Sequence, residues 1–101
     1  MKYNVVITQN ALDDIAELFK YINTALKEPT VASEMKKVIL SAVDSLEEFP
    51  MRSPIVSTEP FQRDGIRKIL VKNYYIFYRV TEDRVVILRI LYNRRDWQNI
   101  I

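Results

Sequence analysis

The sequence predicts an α+β fold: an N-terminal strand, an antiparallel helical hairpin and a three-stranded antiparallel meander, with the helices packed on one face of the sheet. Three observations predict it. A β-branched run opens the chain, two stretches with helical spacing follow, and three strand-like segments with short connections come after residue 65. With 101 residues, 49% hydrophobic and 28% charged, the chain has the size and composition of one ordered domain. We therefore expect residues 1–101 to form a single domain.

An alternating run from Tyr3 to Thr8 predicts the first strand. The first helix is expected over Ala11 to Lys27, with Asn10 as its N-cap and with Asp13 and Asp14 in its first turn, where carboxylates favour the helix dipole. Its apolar face follows the helical spacing through Leu12, Ile15, Ala16, Phe19, Ile22 and Leu26.

A second helix is expected from Pro29 or Thr30 to Pro50, because apolar residues step by three and four along it. They are Ala32, Met35, Ile39, Ala42, Leu46 and Phe49. The short connection to the first helix favours an antiparallel hairpin over a free coiled coil. We therefore interpret this stripe as core, with Phe49 buried at its end.

The C-terminal part reads as a long loop followed by a meander. Residues 50–64 lack a sustained period and Gly65 closes the loop, after which strands are expected over Ile66–Val71, Tyr74–Val80 and Arg84–Tyr92. Connections this short make adjacent strands antiparallel.

Strict alternation assigns the side chains of the last strand to two faces. One face is expected to carry Val85, Ile87, Arg89 and Leu91, and the other Val86, Leu88, Ile90 and Tyr92. The sheet face away from the helices is cupped by the loop and by an Arg-rich tail, so a site is expected there.

Composition excludes several classes of chemistry. The chain has no Cys and no His, which excludes disulfides, thiol catalysis and Cys-based metal centres and removes the commonest general base. We expect no cofactor and no metal. No apolar run approaches the roughly 20 residues that span a bilayer, and the N-terminus lacks the apolar segment of a signal peptide. A cytoplasmic protein without a membrane partner is therefore expected.

The charge is distributed unevenly. Residues 1–60 carry six Lys and Arg against nine Asp and Glu, whereas residues 61–101 carry nine against four, a net of +5 in the second part. A basic half indicates a polyanionic or acidic partner, either nucleic acid or an acidic protein segment, and an ordinary solvated sheet face is the alternative.

The residues themselves resemble a known family. The three C-terminal blocks Gly65 to Lys68, Asn73 to Val80 and Ile87 to Trp97 look like those of the RelE/ParE superfamily of bacterial toxins. The N-terminal blocks also resemble that superfamily: they are Val5 to Thr8, the pair Tyr21-Ile22 and the segment Leu46 to Pro50. The resemblance covers almost the whole chain.

This resemblance implies the toxin of a type II toxin–antitoxin pair, held inactive by a cognate antitoxin protein. ParE-like members poison DNA gyrase without chemistry of their own, whereas RelE-like members cleave messenger RNA on the ribosome, so one fold supports a non-enzyme and an enzyme. A third interpretation is a family member kept only as the partner of its antitoxin. The sequence does not decide whether this chain is an enzyme. If it is one, the resemblance implies a metal-independent endoribonuclease.

Two departures from the nuclease pattern favour the gyrase interpretation. Nuclease members usually carry an Arg at the second position of the middle-strand motif, where this chain has Tyr75. They also usually carry a Tyr, or a His-Tyr pair, near the C-terminus, whereas this chain continues from Trp97 as Gln-Asn-Ile-Ile.

Candidate site residues follow from the same resemblance. Arg95 matches the family's Arg after the last strand and is the first candidate; Arg67 and Tyr75 are the other catalytic candidates. The expected target-binding residues are Arg63, Arg67, Lys68, Arg94, Arg95 and Trp97. Structural roles are the alternatives to these functional ones. Arg95 would form a surface ion pair with Asp96, Arg67 and Lys68 would be ordinary cations at a sheet edge, and Tyr75 would fill the core.

Overall fold

A helical hairpin packed on a four-stranded sheet makes up residues 2–100, the part of the chain that the computed structural model describes. The strands are β1 (Asn4–Ile7), β2 (Ile66–Val71), β3 (Tyr74–Val80) and β4 (Arg84–Tyr92), and the helices are α1 (Gln9–Lys20) and α2 (Pro29–Ser45). A π-helical turn, Tyr21–Ala25, extends α1, and two short 3-10 helices span Pro50–Arg52 and Trp97–Asn99. None of these helices is long and apolar enough to span a membrane.

The sheet has the strand order β1-β4-β3-β2 and is mixed. The meander predicted from the sequence is confirmed, since β2 pairs antiparallel with β3 and β3 antiparallel with β4. The N-terminal strand β1 pairs with β4 in parallel, through Asn4 to Ile7 against Arg84 to Ile87. Parallel neighbours require a crossover connection, and the helical hairpin begins that crossover.

The N-cap of α1 is Thr8, so the sequence-based choice of Asn10 is wrong. The Thr8 hydroxyl accepts a hydrogen bond from the Ala11 N–H at 3.3 Å and donates one to the Ile87 carbonyl at 2.8 Å. One side chain therefore caps the helix and anchors its start on β4. Because α1 begins two residues earlier than expected, Asp13 and Asp14 lie beyond its first turn.

A buried ion pair joins α1 to β4. The Asp14 carboxylate accepts two hydrogen bonds from the Arg89 guanidinium, at 2.8 and 2.9 Å, and a third from the Ile90 N–H at 2.9 Å. The side chain of Asp14 is 6% exposed and that of Arg89 is 20% exposed. The hydrogen bonds from Arg89 to Asp14 raise the pKa of Arg89 further, so its guanidinium stays charged.

A β-bulge in β4 overturns the predicted alternation of that strand. Phe77 lies opposite Arg89 and Tyr78 opposite Ile87, which leaves Leu88 as an extra residue. Beyond the bulge the faces are exchanged: Ile90 packs in the helix-side core and Leu91 packs on the other face, the reverse of what strict alternation predicts.

The two faces of the sheet are covered by two apolar clusters. The larger one lies under the helical hairpin and includes Ile15, Leu18, Ile39, Val43, Ile76 and Ile87. The smaller one lies on the opposite face and consists of Val56, Phe61, Ile66, Phe77 and Leu91, with Trp97 packed against it. The loop and the C-terminal tail therefore cover much of the face on which the sequence predicted a site.

The end of α2 differs from the prediction. Its stripe is buried at Ala32, Ile39 and Leu46, but Phe49 is 80% exposed and adopts a left-handed backbone conformation with φ 50°. The helix ends at Ser45, and the Arg52 guanidinium donates hydrogen bonds to carbonyl oxygens of residues 45, 48 and 49. This turn directs the Phe49 side chain outward, so Phe49 is not part of the core.

Replacing Asp14 by alanine is expected to destabilise the fold by about 3 kcal/mol, because it leaves Arg89 and the Ile90 N–H without their acceptor. The matched control is Asp13→Ala: this neighbouring carboxylate is exposed and accepts one bond from Gln9, so its loss is expected to change stability by less than about 0.5 kcal/mol. Urea unfolding of both variants measures the difference. Equal stabilities would contradict the role of the ion pair.

The exposed position of Phe49 predicts that Phe49→Ala changes the free energy of unfolding by less than about 1 kcal/mol. Leu46→Ala, three residues earlier at a site with 0% exposure, is expected to cost about 2 to 5 kcal/mol. Denaturant midpoints at unchanged slope give both values. A large loss in the Phe49 variant would place that ring in the core after all.

Candidate functional site

A groove of about 740 Å³ lies between the turn end of the helical hairpin and one end of the sheet. We call it the hairpin groove. Its helical side is formed by Asp14, Glu17, Leu18, Tyr21, Ile22, Leu26, Glu28, Val31 and Met35. Its sheet side is formed by Asn73, Tyr74, Ile90, Tyr92 and Arg95.

Four exposed apolar side chains line the hairpin groove. Tyr21 is 57% exposed, Leu26 51%, Val31 43% and Tyr92 39%. Tyr21 begins the π-helical turn and Leu26 follows it, so the local change of helical geometry lies where these side chains leave the core. Four large apolar side chains around one concavity are typical of an interaction site.

The polar groups of the hairpin groove are suited to binding. Burial raises the pKa of Tyr74, and the neighbouring phenols of Tyr92 and Tyr21 raise it further, so Tyr74 stays neutral near pH 7. Its ring meets that of Tyr92 edge to face at a centroid distance of 5.8 Å. Arg95 supplies a positive charge on the sheet side and Glu28 a negative charge on the hairpin side. The groove is therefore apolar in its lining, with opposite charges on its two sides.

Arg67, a predicted catalytic and target-binding residue, is engaged in holding the loop after α2. Its Nη1 donates hydrogen bonds to the Ser53 carbonyl at 2.5 Å and to the Met51 carbonyl at 3.4 Å. The Tyr78 hydroxyl secures the same loop by donating to the Pro50 carbonyl at 2.7 Å. Burial raises the pKa of Tyr78, which keeps this hydroxyl protonated as a donor.

Lys68, Tyr75 and Trp97 come together on the other face of the sheet. The Lys68 ammonium lies 4.5 Å from the ring centroid of Tyr75 and 4.5 Å from that of Trp97. Trp97 in turn contacts Phe77 at 5.2 Å and Phe61 at 5.5 Å between ring centroids. Trp97 therefore anchors the tail against the smaller apolar cluster and also covers one side of Lys68.

The remaining predicted cations lie elsewhere. Arg63 is exposed in the turn before Gly65, Arg94 is exposed after β4, and Arg95 lines the hairpin groove. The proposed pairing of Arg95 with Asp96 is absent from residues 2–100, since the Asp96 carboxylate accepts a hydrogen bond from Asn99 at 2.6 Å instead. The predicted site residues are therefore dispersed over the surface and do not form one cluster.

Sequence analysis missed the Asp14–Arg89 pair and the helical side of the hairpin groove. A signal for Asp14 was present, because Asp14 lies three residues after Ala11 and four before Leu18, on the buried face of α1. The groove depends on a π-helical turn and a β-bulge, which no periodicity predicts. Residues 2–100 contain no group of three or more acidic, His or Cys side chains arranged to hold a metal ion.

Comparison with known proteins identifies a family. The sequence profile described as "ParE toxin of type II toxin-antitoxin system, parDE" matches residues 5–97. No similar sequence was found among curated proteins.

Two solved structures share the fold. A chain of the chromosomal ParDE system from P. aeruginosa has a TM-score of 0.75 and 20% identity, covering 90% of this chain and 96% of that one. A chain of the RelBE2 toxin–antitoxin complex from Mycobacterium tuberculosis has a TM-score of 0.64 and 23% identity, covering 91% and 99%. The α+β architecture predicted from the sequence is therefore confirmed by structural neighbours as well as by the strands and helices of this chain.

Proposed function

The chain belongs to the ParE toxin family of type II toxin–antitoxin systems, and we propose that it acts in the cytoplasm by binding and inhibiting DNA gyrase, without chemistry of its own. A cognate antitoxin neutralises it. The single observation that carries the choice of a binding mechanism is the separation of Arg67, Lys68 and Arg95 into three places on different sides of the sheet.

A metal-free ribonuclease needs a base, an acid and cations around one phosphate, each within hydrogen-bond reach of the reacting atoms. Here Arg67 is bound to two loop carbonyls, Lys68 lies between two aromatic rings, and Arg95 lines a groove beneath the helical hairpin. These three groups do not converge on one point. The arrangement therefore favours recognition of a large partner over cleavage of a phosphodiester.

Tyr75 supports the same choice. It occupies the middle-strand position where nuclease relatives usually carry Arg, and its ring contacts Phe77 at a centroid distance of 5.8 Å and the Lys68 ammonium. An aromatic ring used in this way contributes to packing and to holding a cation.

The antitoxin is proposed to occupy the hairpin groove with an amphipathic segment. The exposed apolar residues of the groove match the apolar stripe of such a segment, and recognition of an amphipathic helix in an apolar groove is a common mode of protein binding. An acidic residue of the segment would pair with Arg95, on the sheet side of the groove. Occupying the groove would cover Arg95 and so block the residue that the family resemblance associates with activity.

The target is tested with purified protein in two parallel assays. The chain is expected to inhibit DNA supercoiling by gyrase and to leave translated messages uncut in a primer-extension assay. Arg95→Ala is expected to weaken the inhibition at least tenfold while leaving the thermal midpoint nearly unchanged, since an exposed cation contributes little to folding.

Cleavage of translated messages, together with its loss in a folded Tyr75→Phe variant, would contradict the gyrase proposal and establish the endoribonuclease alternative. Absence of both activities would leave a chain that only binds its antitoxin.

The antitoxin site is tested by two valines on the same helix. Val31 lines the hairpin groove at 43% exposure, whereas Val38 does not line it and is 36% exposed. Val31→Glu is expected to weaken binding of the co-expressed antitoxin at least tenfold, because it puts a charge into the apolar contact. Val38→Glu is expected to retain binding within about twofold. Equal retention in both variants would exclude the groove as the antitoxin site.

A further inference from the structure

A second concavity lies on the face of the sheet opposite the helical hairpin. It has a volume of about 300 Å³ and is enclosed by the loop residues 54–58 on one side and by Trp97 and Gln98 of the tail on the other. Lys68 of β2 also lines it. We call it the tail cleft.

The Lys68 ammonium in the tail cleft has no carboxylate partner among the described residues. Within residues 2–100 the ion pairs are Lys2 with Glu47 and Arg89 with Asp14, so no acidic side chain lies within 4.0 Å of Lys68. Its neighbours are the faces of Tyr75 and Trp97, each 4.5 Å from the ammonium to the ring centroid. Aromatic faces attract a cation but do not neutralise it, so the site keeps its affinity for an anion.

The surroundings of Lys68 hold it in place. Trp97 packs against Phe61 and Phe77, which are 3% and 0% exposed. The Lys68 carbonyl accepts a hydrogen bond from the Ser53 hydroxyl, which fixes the backbone at that point. A cation already confined between two anchored rings loses little further freedom when an anion binds, and preorganisation of this kind favours affinity.

The rest of the tail cleft combines apolar walls with free polar groups. Pro54, Ile55 and Val56 line one wall. The hydroxyls of Ser57 and Thr58 form no side-chain hydrogen bond with any other described residue and are available as donors. Such a site suits a group with an apolar stem and one negatively charged end.

We propose that the tail cleft binds the side-chain carboxylate of a glutamate on the protein target of this toxin, with the carboxylate on Lys68 and the methylene stem against Trp97 and the apolar wall. The assignment to the target rests on the proposed function, and the chemistry of the ligand rests on the cleft itself. The volume lies at the lower limit for ligand pockets, and a single cation lies at its wall, which fits one carboxylate better than a nucleotide chain with a phosphate at every step.

Trp97 makes the binding directly measurable because it is the only tryptophan of the chain. The probe is N-acetyl-glutamate amide, and its uncharged counterpart N-acetyl-glutamine amide is the matched control. The glutamate probe is expected to change Trp97 fluorescence saturably at millimolar concentration, and the glutamine probe to require at least tenfold more. Equal responses to the two probes would overturn the proposal.

Two lysine variants test the residue assignment. Lys68→Met is expected to weaken binding of the glutamate probe at least tenfold, whereas Lys72→Met, at an exposed position in the turn between β2 and β3, is expected to retain it within twofold. Unchanged binding by a folded Lys68→Met variant would overturn the assignment. Tighter binding of a short oligoribonucleotide than of the glutamate probe would also overturn it, in favour of a nucleic-acid ligand.

A gyrase-inhibition assay on the Lys68→Met variant distinguishes this proposal from the gyrase proposal. Lys68→Met is expected to weaken inhibition of gyrase at least tenfold while antitoxin affinity stays within twofold of the unmodified chain. If the unmodified chain inhibits gyrase and Lys68→Met inhibits it equally, the cleft does not bind the target and the gyrase proposal survives. If the unmodified chain does not inhibit gyrase but binds the glutamate probe through Lys68, the gyrase proposal fails and the ligand class survives.

Discussion

The position of α1 on the sheet depends on one carboxylate. Both carboxylate oxygens of Asp14 accept hydrogen bonds from the Arg89 guanidinium. One of them also accepts a hydrogen bond from the Ile90 N–H, just beyond the bulge in β4. Removing two charges from water costs free energy, and the hydrogen bonds between the two partners offset part of that cost. The bulge then determines which side chains of β4 face the hairpin, so Ile90 and Tyr92 reach the hairpin groove while Leu91 supports the opposite face.

The two proposed binding surfaces lie on opposite faces of the sheet and are connected by the tail. Arg95 lines the hairpin groove, and Trp97, two residues later, lines the tail cleft. The chain crosses from one face to the other between them. A partner that binds Arg95 in the hairpin groove therefore contacts the chain two residues before Trp97, which packs over Lys68 in the tail cleft. The two surfaces are thus linked through a short segment of the tail.

Much of the fold could be predicted from local pattern, and the rest could not for identifiable reasons. The bounds of the three meander strands agree with the structure because alternation and short turns are local signals. The faces of β4 beyond Leu88 were wrong because a bulge inserts a residue without a sequence signature. Phe49 fitted the helical spacing of α2, but the helix ends before it, and hydrogen bonds from Arg52 stabilise a turn that exposes the ring.

The candidate site was predictable in its residue types but not in its arrangement. The family resemblance named Lys68, Arg95 and Trp97, yet their distribution over two faces depends on tertiary contacts between distant segments. The hairpin groove was missed because residues of α1 and of the segment before α2 line it together with residues at the end of β4. No local sequence pattern predicts that these distant segments lie close together.

The order of the strands has a consequence for synthesis of the chain. β4 lies between β1 and β3 in the sheet although it is the last of the four strands to be made. Until residues 84–92 have left the ribosome, β1 has no strand to pair with and α1 has no Arg89 to hold Asp14. The hairpin groove, which includes Arg95, forms later still. A nascent chain therefore lacks the complete surface proposed for antitoxin binding until Arg95 has left the ribosome.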